Sequence, residues 1–349
     1  MLPLFISIFE AILLGIFLAL LTSRGGVWLA RRYGLMDIPG KLPHKQHDQP
    51  VPLAGGLTIL PALLLGFLIF QSNLEDLWKL LPSIVIVFLT GLLDDRRPVR
   101  YVVKLLGQTL AAGLMIAFGF GVTFLKWEIL PVAPILLKSL NVLITLLWLV
   151  GATNAFNFVD SMDGLATGAA AVIATFLAAA SMFSGQVALA RLMGLLVGIC
   201  LILYYLNLTP ARLFLGDSGA LTLGFLLASG AMIFSPKGFG FSQASSWFMP
   251  VMILGLPLFD MILVIFSRLR RGRPIHQADR GHTYHRLVAA GFEPGRAIAL
   301  LHIVSVTLGC LSFLAIQFSP LPANLIFLAV MLAGVASILY LDHPSRWPR

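Results

Sequence analysis

The sequence predicts an all-α fold, a polytopic membrane helix bundle of about eleven transmembrane helices, on three observations. Of the 349 residues 58% are hydrophobic and only 11% charged, with a mean hydropathy of +0.93, whereas a soluble domain carries about 25% charged residues. Apolar stretches near the roughly 20 residues that a spanning helix needs recur from one end of the chain to the other. No polar segment between them is long enough to fold alone, so 1–349 reads as a single integral-membrane domain.

The apolar runs, in order, are 2–22, 53–70, 80–94, 101–119, 139–157, 166–184, 188–206, 218–234, 247–266, 297–316 and 322–341. The first has no Lys or Arg before it, so it lacks the charged start of a cleaved signal and is expected to remain as a helix. An odd number of spans puts the termini on opposite faces. With the N-terminus outside, 19 of the 24 Lys and Arg fall on one face and Lys79, Lys126, Lys138, Arg191 and Lys237 on the other. The positive-inside rule makes the richer face, and the C-terminus with it, cytoplasmic.

Both long loops, near 23–52 and 267–296, are expected on that face. The net charge of +9 is then a matter of topology, and its basic clusters lack the interleaved aromatics of a nucleic-acid groove, so no nucleic acid is expected as partner. Cys200 and Cys310 lie in apolar runs and read as small hydrophobes.

The acidic residues carry the chemistry. Gly91-Leu92-Leu93-Asp94-Asp95 places two adjacent carboxylates where a run meets the cytoplasmic face, an arrangement that repels itself unless a cation sits nearby. Asn154, Asn157, Asp160 and Asp163 recur at intervals of three, which on a helix makes them neighbours. Asp217 stands between Gly216 and Ser218-Gly219 at the start of a run. Oxygen ligands of this kind suit Mg²⁺, with Mn²⁺ as the other candidate, and Mg²⁺ typically takes one or two carboxylates plus substrate phosphates and water.

The opposite charge comes from the loop running from Arg268 to Arg286, which holds His276, His282 and His285 and offers guanidinium forks for phosphate. Carboxylates and phosphate-binding groups on one membrane face point to a nucleotide diphosphate substrate and a lipid co-substrate. The spacing of His282 and His285, like that of His44 and His47, is too common to make a zinc site, and His302 reads as a packing residue. Asp260, two turns inside a run, is either a functional support or a partner for Arg268 or Arg270.

These motifs, in this order and over nearly the whole chain, resemble the polyprenyl-phosphate N-acetylhexosamine-1-phosphate transferases, the family of the undecaprenyl-phosphate N-acetylglucosaminyl and phospho-N-acetylmuramoyl-pentapeptide enzymes. Pro43 to Gly56, Gly91 to Asp95, Asn154 to Gly168 and Phe214 to Gly219 are similar to its successive motifs, and Asp279 to Leu287 to the histidine loop of the N-acetylglucosamine branch, with Tyr284 in place of the middle histidine.

The resemblance implies transfer of a sugar 1-phosphate, N-acetylglucosamine 1-phosphate before any other, from a UDP-N-acetylhexosamine to polyprenyl phosphate, releasing UMP and starting a cell-envelope glycan. It also implies Mg²⁺ at Asp217 with Asp163, and Asp94 or Asp95 as the group that accepts or orients the lipid proton. Asp160 and Asp163 would shape the site, with Asn154, Asn157, Lys104, Lys45, Arg268, His282 and His285 holding substrate. The location implied is the plasma membrane with a cytoplasmic site, in a chain that pairs as a homodimer in some relatives. Another UDP-N-acetyl sugar, UDP-MurNAc-pentapeptide as donor, and a secondary transporter remain the alternatives.

Overall fold

The computed structural model describes residues 2–39, 49–70, 74–123, 132–235, 246–275 and 281–343. Most of this is helix, joined by turns and irregular segments and by a two-residue antiparallel ladder in which β1 (Met36–Asp37) pairs with β2 (Val51–Pro52). The long helices are α1 (Leu2–Arg32), α2 (Gly55–Phe70), α3 (Leu81–Arg96), α4 (Tyr101–Ala117), α5 (Pro134–Val159), α6 (Leu165–Phe183), α7 (Val187–Asn207) and α8 (Gly216–Ile233). A short α9 (Met249–Ile253) leads into α10 (Gly255–Arg270), followed by the short α11 (Thr283–Ala289), α12 (Pro294–Ala315) and α13 (Pro320–Leu341). Among the described residues, eight helices are long and apolar enough to cross a membrane, and α2 and α4 are shorter apolar helices. The chain is an all-α, multi-pass membrane protein.

Local sequence explains where helices begin. Proline stands in the first turn of α3, α5, α9, α12 and α13, where its missing N–H costs nothing. Two expectations are corrected. The run at 247–266 is broken between α9 and α10 at Leu254, flanked by Pro250 and Pro257, which cannot donate to a helical ladder. The loops near 23–52 and 267–296 are partly helical, since α1 continues to Arg32 and α11 occupies 283–289.

Helices α6, α7 and α8 form the centre. In α6 and α8, 78% of the most apolar window is buried within the protein, and in α13 none is, so α13 lies outermost. Around that centre α1 packs on α7, α3 and α5 on α8, and α12 on α6. Because α3, α5 and α10 run toward the same end of the bundle at which α8 begins, their acidic and basic ends gather there.

Candidate active site

The site is assembled at the N-terminus of α8. Leading into it, Phe214 donates its N–H to the carbonyl of Pro52 at 2.9 Å and accepts from the N–H groups of Ala54 and Gly55 at 3.1 Å, which docks the β2 segment beside α8. Gly216 then turns at φ +67°, a left-handed conformation that glycine adopts without penalty. The first N–H groups of α8 are capped from another helix. The Asp95 carboxylate accepts from the N–H of Asp217 at 2.7 Å and of Ser218 at 3.0 Å. Gly91, one turn earlier on α3, makes this approach feasible, since a Cβ there would lie 2.5 Å from Ser218 Cα.

Asp94, adjacent in sequence, points elsewhere. It accepts from the Val99 N–H at 2.8 Å and from the Lys104 ammonium at 2.8 Å. Lys104 also contacts the Asp217 carboxylate, so one cation bridges carboxylates of α3 and α8. Asn157, from the end of α5, donates to Asp217 at 2.9 Å.

Asp160, partly buried just past α5, is pushed up to about 8, first by burial and then by the negative charges of Asp217, Asp95 and Asp163. Asp163 accepts from the Thr209 hydroxyl at 2.9 Å. Between these two loops lies the buried Asn207, which accepts from the Gly164 N–H at 2.8 Å and donates to the Leu213 carbonyl at 3.1 Å, tying the aspartate loop to the strand-like entry into α8.

The basic half is organised by Asp260. Its buried carboxylate meets His282 Nδ1 at 2.8 Å and accepts from the N–H and the hydroxyl of Thr283, each at 2.6 Å. It is therefore a support for the histidine segment, while Arg270 pairs with Asp342. Arg268 lies over the Phe158 ring at 5.3 Å and donates to the Ile275 carbonyl. The same ring meets His282 edge-on at 5.7 Å, so Phe158 joins the aspartate loop to the basic loop. His285 lies edge-on to His282 at 6.4 Å.

One expected ligand and the tyrosine of the histidine loop have other surroundings. Asn154 pairs its carboxamide with that of Gln108, donating at 2.5 Å, and also donates to the Val150 carbonyl, a buried amide pair inside the bundle. Tyr284 is buried within the hydrophobic core, and burial followed by the charge of Asp163 raises its phenol. Lys45, like His276, lies outside the described residues. Residues that the sequence had not flagged are Gln108, Asn207, Thr209 and Phe158. Gln108 and Asn207 carried a signal, as lone amides in apolar helices, while Thr209 and Phe158 had none.

Among the described residues, no three side chains of His, Cys, Asp or Glu converge as a ready metal cage. Lys104 lies between Asp94 and Asp217, and Asp160 feels the charges of Asp217, Asp95 and Asp163, an acidic neighbourhood that fits an ion taking one or two carboxylates and completing its shell with phosphate oxygens and water.

Residues 77–235 match the model of glycosyl transferase family 4. The chain is 30% identical to the decaprenyl-phosphate N-acetylglucosaminephosphotransferase of Mycobacterium tuberculosis (strain CDC 1551 / Oshkosh), over 95% of this chain and 89% of that protein. It is 28% identical to the probable undecaprenyl-phosphate N-acetylglucosaminyl 1-phosphate transferase of Bacillus subtilis (strain 168), over 79% and 76%. To the undecaprenyl-phosphate alpha-N-acetylglucosaminyl 1-phosphate transferase of Escherichia coli (strain K12) it is 27% identical, over 82% and 78%.

Proposed function

The chain belongs to glycosyl transferase family 4, and we propose that it transfers N-acetylglucosamine 1-phosphate from UDP-N-acetylglucosamine to a polyprenyl phosphate at the cytoplasmic face of the plasma membrane. The observation that carries this reading is the bridge from Asp94 through Lys104 to Asp217. Together with the Arg268 and His282 segment joined to it through Phe158, it makes a polar site at one end of an apolar bundle, where a soluble diphosphate and a membrane lipid can meet. The relatives' activities on undecaprenyl and decaprenyl phosphate support the same choice.

In the reaction an oxygen of the lipid phosphate forms a bond to the β-phosphorus of the donor. The bond from that phosphorus to the bridging oxygen breaks, and UMP leaves. Both reactants are anions, so the protein has to align them and offset their repulsion. Of the two adjacent aspartates, Asp94 suits the lipid phosphate, because both oxygens of Asp95 are taken up by the α8 cap. Asp94 takes the lipid phosphate proton or orients it, and Lys104 supplies positive charge between the reactants. Arg268, His282 and His285 hold the pyrophosphate, with Asp260 accepting from His282 Nδ1 so that Nε2 faces the substrate. Asp217 would hold Mg²⁺, with Asp163 or Asp160 completing its surroundings. When bound, Mg²⁺ polarises the pyrophosphate and offsets the charge on the departing UMP.

The test is UMP release by purified protein, omitting in turn UDP-N-acetylglucosamine, polyprenyl phosphate and Mg²⁺. Release that requires all three is the expected result. Folded protein that releases nothing with this donor or other UDP-N-acetyl sugars would overturn the reading.

A further inference from the structure

The residue that follows α13 takes no part in the chemistry above, yet it is a buried acid. Asp342 has a side chain only 1% exposed. It accepts from the Ser267 hydroxyl at 2.7 Å and from Arg270 and Arg271 at the end of α10, and from Arg286 of α11 at 2.8 Å. Arg286 in turn donates to the carbonyls of Gly281 at 2.7 Å and Leu341 at 3.0 Å. One carboxylate thus holds three guanidiniums drawn from both stems of the loop 271–281. Arg268, on the same helix end, and His282, just before α11, are fixed by those stems.

We propose that Asp342 is a positioning residue for the donor: it sets the distance between the Arg268 stem and the His282 stem, and so governs affinity for the sugar nucleotide rather than the rate of transfer. This rests on the reading above that those residues hold the pyrophosphate.

The charges argue that the arrangement depends on the acid. Burial lowers the affinity of Arg271 for its proton, Arg286, Arg270 and Arg273 push the same way, and Asp342 opposes them. Without the carboxylate the three guanidiniums repel one another across the two stems, and the stems separate. A loop that opens in this way weakens its grip on a diphosphate while the Asp94, Lys104 and Asp217 group, built on α3, α4 and α8, stays in place.

The experiment compares wild type, Asp342→Asn, Asp342→Glu and the milder Ser267→Ala in full-length protein. It measures KM for UDP-N-acetylglucosamine, kcat for UMP release at saturating polyprenyl phosphate, and hydrogen exchange of residues 267–275 and 281–289. For Asp342→Asn, KM is expected to rise at least about tenfold with kcat within about threefold, and exchange to accelerate in those two segments alone. Asp342→Glu is expected to recover most of the affinity. A variant that merely folds poorly would lower the active fraction, and with it kcat, at constant KM.

An Asp342→Asn protein with wild-type KM overturns the proposal. If that variant does not fold, Ser267→Ala decides, since an unchanged KM and unchanged exchange there overturn it as well. Absence of lipid-dependent UMP release in the wild type would sink the transferase reading instead. Hydrogen exchange then judges the clamp by itself, and equal exchange in Asp342→Asn and wild type rejects it.

Discussion

At the scale of single residues, two adjacent carboxylates of one sequence motif have different duties. Asp95 is a cap, with both oxygens on backbone N–H groups of α8, and Asp94 is the one that faces Lys104. Asp95→Asn is therefore expected to lose thermal stability, by about 1 kcal/mol as for other lost caps, as well as activity, because Asp217 is displaced. Asp94→Asn is expected to keep its melting temperature and lose turnover by about 10²–10⁴-fold, the range of a missing proton acceptor. Melting curves and UMP release on both variants check this, and identical behaviour of the two would refute the division.

Asp260→Asn is expected to raise KM for UDP-N-acetylglucosamine by roughly 10- to 100-fold, the range lost when the partner that orients a ligating histidine is removed. An unaltered KM in UMP-release assays would show that the bond to His282 is idle. The sequence displayed the aspartates themselves because carboxylates at the ends of apolar runs are conspicuous. It did not display which oxygen meets which donor, since Asp95 and Asp217 are separated by 122 positions and only the packed helices bring them together.

At the scale of elements, the crossing of α3 on α8 is fixed by the absence of a side chain. A Cβ at Gly91 would meet Ser218 Cα at 2.5 Å, whereas nothing lies within 4 Å of one at Gly113. Gly91→Ala is expected to destabilise by about 1–3 kcal/mol, the usual cost of forced overpacking, and to lower activity by pushing the cap off α8. Gly113→Ala is the control, expected to match wild type or exceed it slightly. Equal thermal shifts for both would mean that α3 and α8 do not approach so closely.

The attachment of α13 to α10 and α11 has its own pH signature. Burial raises the Asp342 carboxyl, and hydrogen bonds from Arg270, Arg286 and Ser267 more than offset it, holding it at about 2. That lies below the ~3.9 of an unfolded aspartate, so the folded state favours the ionised form. Its stabilising effect is complete above about pH 4 and disappears as pH falls from there toward 2. Acid titration of wild type against Asp342→Asn is expected to show a gap in melting temperature that narrows over this window. The runs that became helices were legible because 20 apolar residues in sequence have little alternative in a membrane. The break at Leu254 and the turn of helix at 283–289 were not, because neither interrupts the average hydropathy.

At the scale of the whole molecule, the carboxylates, the bridging lysine and the arginine clamp all lie at one end of the bundle, and the function proposed above requires that end to face the cytoplasm, as the positive-inside rule predicts. A cysteine replacing Arg296, near that end of α12, is expected to resist a membrane-impermeant thiol reagent in right-side-out vesicles, in a background with Cys310→Ser. A cysteine replacing Gln317, past the other end of the same helix, is expected to react. The reverse pattern would invert the orientation.

The cap on α8 also has a consequence for biosynthesis. Asp94, Asp95 and Lys104 enter the membrane with α3 and α4, more than a hundred residues before the backbone N–H groups and the carboxylate that complete them. Until α8 emerges, Asp95 has no helix to cap and Lys104 has Asp94 but lacks its second counter-ion. A chain arrested after α7 thus leaves the Asp95 carboxylate without the N–H groups that satisfy it, so the polar end of α3 is completed only when α8 has been made.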